Sequence, residues 1–428
     1  MTRSILKLSE VIKIHHGWPF KSEYFSEEQN GNPVVVNIGN FRYDGGFRFE
    51  TTKIKEYTGQ YPKEYELIPS DILLVMTCQT AGGEILGIPG RIPDDGRKYL
   101  HNQRLGKVEV LRSDLIDKSY LYWLFLSKDF NNFLFQSASG TKILHTAPTR
   151  IEEYTTSFPK IEVQKQIGNI LDSLNAKIEI NRRMIETLEQ MALTLYKHWF
   201  VEFGPFQEEE FHEIEEVGTI PACFEVTNIG SAVKVLGGGT PSTKVNEYWE
   251  NGEINWFSPT DLTSSKTLFV NKSAKKITEM GLNESSAKMF PAYSVMMTSR
   301  ATIGVIAINQ EPAATNQGFI ILIPNERYSA WYLFLWLKFN MEKIRSISNG
   351  STFLEVNRSN FKALPILNSE RVQEFNKKVE PLFAQIKLLT NEIETLMNTR
   401  DYLLPRLLSG EIELKAAEEQ VEEVLSVG

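Results

Sequence analysis

The chain has 428 residues, of which 42% are hydrophobic and 23% charged, a length for two or three domains and a composition typical of a globular protein. No apolar run reaches the roughly 18 residues that cross a bilayer, and the N-terminus has no apolar signal core, so we expect no membrane partner. Two cysteines are too few for a disulfide framework and favour a cytoplasmic location.

The net charge of −8 argues against nucleic acid as a partner, but its distribution matters more than its sum. The excess of acidic over basic side chains lies in two segments, 202–216 and 411–428. The rest of the chain is therefore mildly basic, which permits DNA binding without demonstrating it.

The first half opens with short strand-like runs separated by glycine, proline and asparagine, at Asn32–Ile38, Asp71–Met76 and Lys107–Leu111. An aromatic-rich helix is predicted near 118–136. Phe158-Pro159 then marks the exit from this mixed α/β region, and a long helix follows it.

The second half repeats the same order of elements. Its strand-like runs are Ser294–Thr298, Gly304–Ile308 and Phe319–Ile323, and its aromatic helix is predicted near 328–346, before the exit at Leu364-Pro365. The interval is far longer than the roughly 20–50 residues of a solenoid repeat, so we predict a duplicated domain with a duplicated long helix. Short motifs recur as well: Met76-Thr77 as Met297-Thr298, Asn102-Gln103 as Asn316-Gln317, and Gly140 as Gly350.

The two long helices carry the clearest periodicity, with residues spaced alternately four and three apart, as in a coiled-coil seam. Because both helices share one register, we expect them to pair with each other. Parallel helices would crowd both domains at one end, so we expect an antiparallel pair with one domain at each end and the coil as a ruler between two DNA half-sites. The alternative is that each helix packs only on its own domain. The predicted seam positions are Ile167, Leu171, Leu174, Ile178, Asn181, Ile185, Leu188, Ala192, Leu195 and Trp199, then Phe375, Val379, Leu382, Ile386, Leu389, Ile393, Leu396, Arg400, Leu403 and Leu407.

Two features depart from an ideal seam. Pro381 is expected to kink or restart the second helix, because its ring removes a backbone hydrogen bond. Asn181 and Arg400 are polar seam positions that could fix the register of the pair.

These patterns predict an α+β fold with two similar mixed α/β domains, two long helices in an antiparallel coiled coil, and a pseudo-two-fold internal repeat. The predicted boundaries are 1–159 for the first domain, 160–203 for the first long helix, 204–218 for an acidic linker, 219–367 for the second domain, 368–410 for the second long helix and 411–428 for an acidic tail.

Three segments carry a resemblance to a known family. They are Leu-Tyr-Lys-His-Trp-Phe-Val-Glu-Phe at 195–203, Leu-Leu-Pro-Arg-Leu-Leu-Ser-Gly-Glu-Ile at 403–412, and Gly-Gly-Thr-Pro-Ser at 238–242. With the duplicated helices, they make the chain resemble the specificity subunits of Type I restriction–modification systems over nearly its full length. The first half departs from the pattern, because Gly17-Trp18-Pro19-Phe20 lacks the Gly-Gly-Thr sequence.

The resemblance implies two target-recognition domains, each reading one half of a bipartite, asymmetric sequence in double-stranded DNA. It implies that the coil docks two methyltransferase subunits, which supply S-adenosylmethionine and methylate adenine N6, and that restriction subunits bring ATP and Mg. This chain would then be a non-catalytic guide without a cofactor or metal of its own, acting in a prokaryotic cytoplasm.

The residues themselves show no convincing catalytic constellation. Ser258-Pro259-Thr260-Asp261 lacks the second proline and the aromatic residue of an adenine methyltransferase motif. Gly237-Gly238-Gly239 lacks Rossmann spacing and favours a tight turn near a DNA backbone. His15 and His16 are adjacent and diverge on regular structure, which makes a poor metal pair. Two other functions stay open: a self-sufficient DNA modification enzyme, and a coiled-coil scaffold that binds proteins.

Candidate DNA contacts are polar side chains on loops, where amide, carboxylate and guanidinium groups read bases and cations hold phosphates. Each could instead be a solvated loop residue or make a structural hydrogen bond, and Gly140 or Gly350 could simply end a helix. The candidates are Arg42, Tyr43, Gln79, Thr80, Gln103, Arg104, Thr141 and Lys142 in the first half, and Thr243, Lys244, Asp261, Arg300, Gln317, Ser351, Thr352 and Arg358 in the second.

A second set is predicted to dock the methyltransferase, because a two-helix coil cannot bury all of these residues in its seam. The alternative is that the helix ends fold onto the neighbouring domain. The candidates are Tyr196, His198, Trp199 and Phe200 in the first helix and Leu403, Leu404, Leu407 and Leu408 in the second.

Overall fold

The computed structural model describes residues 3–49, 54–80, 82–140, 143–265, 267–350 and 354–426. The chain forms two compact units, one made of Met1–Ile178 with Thr395–Gly428 and the other of Glu179–Glu394. We call them unit 1 and unit 2.

The globular part of unit 1 is built from short strands with three small helices inserted late. The strands are β1 (Arg3–Lys7), β2 (Ile12–His16), β3 (Phe25–Ser26), β4 (Val34–Val36), β5 (Glu56–Tyr57), β6 (Glu66–Leu67), β7 (Ile72–Val75), β8 (Thr77–Cys78), β9 (Pro89–Arg91), β10 (Tyr99–His101), β11 (Leu105–Val110), β12 (Leu144–His145) and β13 (Thr155–Pro159). The helices are α1 (Lys118–Phe125), α2 (Lys128–Ser137), α3 (Pro148–Glu152) and the long α4 (Ile161–Phe200), whose last part belongs to unit 2.

Unit 2 repeats this plan with added elements. Its strands are β14 (Phe211–Ile214), β15 (Gly218–Pro221), β16 (Glu225–Asn228), β17 (Lys234–Gly237), β18 (Ile254–Phe257), β19 (Phe269–Val270), β20 (Lys275–Ile277), β21 (Val295–Thr298), β22 (Ile306–Asn309), β23 (Ala313–Thr315), β24 (Phe319–Ile323), β25 (Ser348–Asn349), β26 (Glu355–Val356) and β27 (Pro365–Asn368). The later helices of the chain are α5 (Ile229–Ala232), α6 (Pro259–Ser265), α7 (Glu279–Asn283), α8 (Ala330–Phe339), α9 (Met341–Ser346), α10 (Arg358–Lys362), α11 (Arg371–Ser409) and α12 (Leu414–Ser426).

The sheet topologies confirm the internal repeat. Unit 1 has an antiparallel sheet in the order β2-β11-β7-β9, and unit 2 has β17-β24-β21-β22 in the same arrangement, extended by β19. A parallel pair also recurs, β4 with β10 and β18 with β23. In each unit the strand just before the long helix pairs antiparallel with a strand from the start of the domain: β13 with β1, and β27 with β16.

Each predicted aromatic helix is in fact two helices. In unit 1 the break comes at Ser127, whose hydroxyl accepts a hydrogen bond from the Phe130 amide and so caps α2. In unit 2 Asn340 separates α8 from α9. The prediction of one continuous helix missed both breaks, although polar residues mark them in the sequence: Ser127 with Lys128 and Asp129 at the first, and Asn340 at the second.

The long helices pair antiparallel, as expected. Unit 1 combines the beginning of α4, 161–178, with the end of α11, 395–409, and unit 2 combines the end of α4 with the beginning of α11. In unit 2 the Phe375 ring lies 5.7 Å from the Trp199 ring and 6.0 Å from the Tyr196 ring, measured between centroids.

The expected break in the second helix is absent from its described residues, and Arg400 has a partner outside the seam. Helix α11 runs unbroken through Pro381, because Val379 and Phe383 on either side are anchored in the unit 2 core. Arg400 is almost completely buried, but it forms ion pairs with Asp401 at 2.9 Å and with Asp44 of the globular part of unit 1 at 3.9 Å. It therefore ties α11 to the first domain.

The acidic segments are more ordered than a linker and a tail. Residues 211–218 of the predicted linker, together with 219–221 of the predicted second domain, form the β14–β15 hairpin, in which Phe211 pairs with Pro221. The tail forms α12, which buries Ala417 and Val421 while its glutamates face solvent. No described helix has both the length and the apolar character of a membrane span.

The N-terminus is anchored to the end of the second long helix within unit 1. The Arg3 guanidinium donates to the carbonyl oxygen of Leu408 at 2.6 Å and to that of Ser157 at 2.8 Å. Carbonyls in the last turn of a helix have no partner within the helix, so Arg3 satisfies one of them.

Candidate nucleic-acid interface

In both units a glycine packs directly against the backbone where the parallel strand pair ends. A Cβ atom on Gly17 would lie 2.2 Å from the carbonyl oxygen of Asn102, and one on Gly238 would lie 2.1 Å from that of Asn316. Gly17 is therefore the structural counterpart of Gly238, although the first half lacks the Gly-Gly-Thr sequence. Both positions require glycine because the two backbones touch.

The Asn-Gln pairs that face these glycines form turns. The Asn102 side chain accepts a hydrogen bond from the Arg104 amide at 3.0 Å, and the Asn316 side chain accepts one from the Gly318 amide at 2.9 Å. The asparagines are thus structural, whereas Gln103, Arg104 and Gln317, which were predicted to contact DNA, are exposed.

The two glycines that recur between the repeats further along, Gly140 and Gly350, open hairpins and do not end helices. Gly140 has a φ of +106° and Gly350 has a φ of +134°, a backbone region that favours glycine. Ser139 pairs with His145 across the first hairpin, and β25 pairs with β26 across the second. The predicted contacts between these strands, Thr141, Lys142, Ser351 and Thr352, lie outside the described residues.

In unit 1 the turn and the hairpin border a common groove of about 510 Å³. Strand β12 of the hairpin pairs with β8, which places His145 opposite Thr77. The His145 ring is held by a contact of 3.0 Å between its Nδ1 and the Thr77 hydroxyl. We call this groove the His145 groove; its lining residues are His16, Gly17, Met76, Thr77, Gln103, Arg104, His145 and Thr146.

The sequence did not single out His16, His145 or Thr146 as site residues. His16 could have been noticed because it ends a strand immediately before Gly17. His145 could not, because its place in the groove depends on the pairing of β12 with a strand more than 60 residues earlier.

Unit 2 has different side chains at the corresponding edge. The Arg300 guanidinium forms two hydrogen bonds with the Glu355 carboxylate, at 2.7 and 2.9 Å, across an antiparallel bridge. Arg358, at the start of α10, lies over Gly237, where a Cβ atom would be 2.6 Å from its guanidinium. This edge therefore presents two arginines, one of them neutralised.

Two other predicted residues of unit 2, Thr243 and Lys244, are exposed on the loop after the glycine turn. Asp261 has a structural role. Its carboxylate accepts hydrogen bonds from the Ser258 amide at 2.7 Å, the Ser258 hydroxyl at 2.6 Å and the Ala274 amide at 2.7 Å. These bonds fix the start of α6 and occupy the oxygen atoms that would otherwise accept from a base.

The remaining candidates of unit 1 lie on two neighbouring loops. Arg42 folds back on its own loop, donating to the Gly45 carbonyl at 3.3 Å, whereas Tyr43 is 59% exposed. Partial burial and the nearby Cys78 and Glu84 raise the pKa of Tyr43. Gln79 and Thr80 are exposed as well, and the Thr80 hydroxyl donates to the Glu84 carboxylate.

The predicted docking surface is wrong for its aromatic members. Tyr196, Trp199 and Phe200 are buried in the unit 2 core, where all three rings pack around Phe375. The domain that follows α4 covers them, so a partner subunit cannot reach them. His198 alone of that group is exposed.

The leucine-rich end of α11 is no better exposed. Leu403 and Leu407 are almost fully buried, and Leu404 and Leu408 are each only 9% accessible. This prediction needs the same correction, because unit 1 covers the leucines.

Comparisons with known proteins agree with this architecture. The sequence model of the Type I restriction modification DNA specificity domain matches residues 4–190 and again 221–397. The chain therefore belongs to the family of Type I restriction–modification specificity subunits, and each repeat is one DNA target-recognition domain with its long helix. As a member of that family it is a DNA-recognition subunit and has no catalytic role of its own.

Several relatives are similar over large parts of the chain. The specificity subunit of the Type I restriction enzyme HindI of Haemophilus influenzae is 25% identical, with 89% of this chain and 94% of that protein covered. The MjaIX specificity subunit of Methanocaldococcus jannaschii is 39% identical over 37% of each chain. The crystal structure of a Type I S subunit from M. genitalium shares the fold, with a TM-score of 0.51, 16% identity, and coverage of 95% of this chain and 96% of that one.

Proposed function

We propose that the chain reads a bipartite, asymmetric sequence in double-stranded DNA, one half with each target-recognition domain. The observation that carries this proposal is that the two domains share a scaffold but differ in side chains at its edge. Gly17 and Gly238 pack identically on their turns, whereas His145 with Thr77 in unit 1 is replaced by Glu355 with Arg300 in unit 2. A common frame with different donors and acceptors is what two unlike half-sequences require.

The remaining loop residues supply both kinds of contact. Arg104, Lys244 and Arg358 are exposed cations that would hold phosphates and set the position of the duplex. Gln103 and Gln317 carry amides that can read a base edge. Tyr43, Gln79, Thr80 and Thr243 are exposed as well and complete the candidate set.

The partner subunits follow from the same proposal. Two methyltransferase subunits, carrying S-adenosylmethionine, dock on the coiled coil, and restriction subunits with ATP and Mg join them, in the cytoplasm of a prokaryote. This chain contributes recognition. The described residues contain no group of three or more His, Cys, Asp or Glu side chains able to hold a metal.

An exposed apolar stripe is better placed for docking than the buried aromatic cluster. Ile180, Met184 and Met191 on α4 are 53%, 42% and 52% exposed, and their spacing of four and seven residues puts them on one side of the helix. Leu388 on α11, also in unit 2, is 63% exposed. Exposed methionines and branched apolar side chains are typical of surfaces that bind a protein partner.

Docking can be tested by charge substitution. We expect the double variant Met184→Glu, Met191→Glu to lose co-purification with the methyltransferase subunit, because each glutamate would be desolvated without a partner. Leu111→Glu, at an equally exposed apolar position of unit 1, is the matched control and should leave co-purification intact. Equal recovery of the methyltransferase with both variants would exclude the stripe as the docking surface.

The recognition function is tested by sequencing methylated DNA from cells that express this chain with its methyltransferase partner. We expect one motif with two specific halves and a fixed spacer. Exchanging residues 1–159 for those of another family member should change only one half. A change in both halves would refute the modular reading, and methylation by the purified chain alone would make it an enzyme.

A DNA-binding assay distinguishes a DNA-recognition subunit from a scaffold that binds only proteins. With the methyltransferase present, we expect a gel shift whose affinity falls steeply between about 50 and 200 mM salt, because phosphate contacts release counterions. Partner binding without any shift would mark the chain as a protein scaffold.

A further inference from the structure

We propose that the His145 groove holds a DNA phosphate and makes recognition by the first domain proton-linked, whereas recognition by the second domain is not. This inference rests on the proposed function, since it assigns a role and a pH dependence to one part of the recognition surface.

The charge of the groove favours an anion. Among its lining residues, the side chains that carry or can gain charge are Arg104, His16 and His145, and the described lining includes no carboxylate. A concave site with one fixed and two titratable cations attracts a phosphodiester oxygen, and each added positive charge strengthens that attraction.

The position of His145 suits a switch between one and two donors. Its Nδ1 lies 3.0 Å from the Thr77 hydroxyl, which fixes the ring and leaves Nε2 on the far side available to a ligand. Neutral histidine can donate through Nε2 while accepting at Nδ1. Protonated histidine donates from both nitrogens and adds a full charge beside the bound phosphate.

Within the described residues the His145 ring forms a hydrogen bond with Thr77 and no ion pair. Glu84, on the loop after the paired strand, accepts a hydrogen bond from the Thr80 hydroxyl, which in turn contacts Cys78 at 3.1 Å. On the strand that pairs with β12, the facing residues are Thr77 and Cys78, and Cys78 is a buried thiol opposite Leu144. In the helix that follows, Arg150 is paired with Glu153 at 2.7 Å. Lys142 of the same hairpin lies outside the described residues.

His16 points to the groove from the other wall, and its neighbour His15 does not. The Nε2 of His15 lies 2.6 Å from the Glu109 carboxylate on β11, whereas His16 ends β2 and lines the groove. The sequence prediction that the two side chains diverge is confirmed. His15 is therefore a suitable control position, because it lies one residue before His16 and on the opposite face of β2.

Among its described residues, unit 2 has no equivalent histidine at this edge. Its two histidines are His198, near the end of α4, and His212, in the β14–β15 hairpin, and the edge itself carries the Arg300–Glu355 ion pair. Carboxylates and guanidinium groups keep their charge between pH 6 and 8. Proton linkage should therefore be confined to the half-sequence that unit 1 reads.

The test uses the complex of this chain with its methyltransferase partner and a duplex of about 30 base pairs that contains the motif methylated in vivo. We expect affinity to rise about 3- to 10-fold from pH 8 to pH 6, because histidine gains its charge in this range. Substituting His16→Gln and His145→Gln together should flatten the profile and lower the salt dependence. Substituting His145→Arg together with His16→Gln should give tight binding that no longer changes with pH.

The controls separate this inference from the proposed function. His15→Gln should keep the wild-type pH profile, and a duplex with a scrambled unit 1 half-sequence should lose proton linkage together with affinity. An unchanged pH profile in the His16→Gln, His145→Gln protein would overturn the inference while leaving DNA recognition standing. Absence of sequence-selective binding by the wild-type complex at every pH would overturn both.

Discussion

Gln164 and Asn376 make the same connection in the two repeats, each tying the start of a long helix to the domain before it. The Gln164 amide donates to the Leu115 carbonyl at 2.9 Å and accepts from the Asp117 backbone at 3.0 Å. The Asn376 amide donates to the Arg327 carbonyl at 2.9 Å and accepts from the Ser329 hydroxyl at 2.7 Å; Asp117 and Ser329 are the residues that cap α1 and α8. A longer side chain in one repeat and a shorter one in the other reach equivalent partners.

Removing the hydrogen bonds of Gln164 should lower the stability of unit 1. Because Gln164 is fully buried, Gln164→Ala would leave a donor and two acceptors unsatisfied, and we expect a loss of about 2–3 kcal/mol in the free energy of unfolding. Chemical denaturation measures it. Gln166→Ala, at an exposed position two residues later, should change stability by no more than about 0.5 kcal/mol. Equal effects of the two substitutions would show that the Gln164 hydrogen bonds do not stabilise unit 1.

The glycines of the two turns should not tolerate alanine. Gly17→Ala and Gly238→Ala each place a Cβ about 2 Å from a backbone carbonyl oxygen, which cannot move without breaking the turn. We expect each to lower the melting temperature and to weaken methylation of the motif, as seen by methylated-DNA sequencing. Gly39→Ala is the control, because its Cβ would meet no atom within 4 Å. A fully active Gly17→Ala protein would show that the turn is not needed.

The buried amide of Asn181 should lower the stability of the coiled coil. Asn181 is 1% exposed, and neither amide atom of its side chain has a hydrogen-bond partner within the described part of the chain. We expect Asn181→Leu to raise the free energy of unfolding by about 1–2 kcal/mol, because an unsatisfied polar group is replaced by an apolar one. Asn169→Leu, at an exposed site of the same helix, should not stabilise. If Asn181→Leu destabilised the protein or changed its oligomeric state, the amide would instead be fixing the register.

Acid should destabilise unit 1 through His101. Burial lowers the pKa of this histidine to about 4, and its Nε2 lies 2.8 Å from the Leu105 carbonyl. The unfolded chain takes up this proton near pH 6.5 and the folded chain only near pH 4, so stability is constant above pH 6.5 and falls as the pH is lowered between these values. The loss is about 3 kcal/mol at most.

Urea denaturation at pH 7.5 and pH 4.5 measures this difference. His101→Gln should show a smaller loss between the two pH values, since glutamine does not titrate. His212→Gln, at an exposed strand position in unit 2, should behave like the wild type. An identical pH dependence in all three proteins would assign the acid sensitivity to other groups.

Sequence periodicity predicted the main strands and the two long helices. Strand-like runs such as Ile72–Val75 and Phe319–Ile323 are buried strands, as expected for short, continuous apolar runs. The seam positions from Ile167 to Ile178 are all buried, because heptad spacing is a local property that the sequence shows directly.

Long-range placement was the part that local patterns could not predict. Trp199 and Phe200 looked like an exposed cluster because the domain that covers them comes later in the chain. Pro381 looked like a break because the packing of Phe383 that holds the helix is a tertiary contact. His145 joined the candidate site only through strand pairing.

The contacts of Arg3 with Leu408 and of Arg400 with Asp44 make the first target-recognition domain depend on residues that are encoded near the 3′ end of the gene. A stop codon or frameshift anywhere in the second repeat would remove Arg400 and Leu408, and with them part of the packing of unit 1. Half-length products should therefore be defective in both domains, unless a second polypeptide supplies the missing helix.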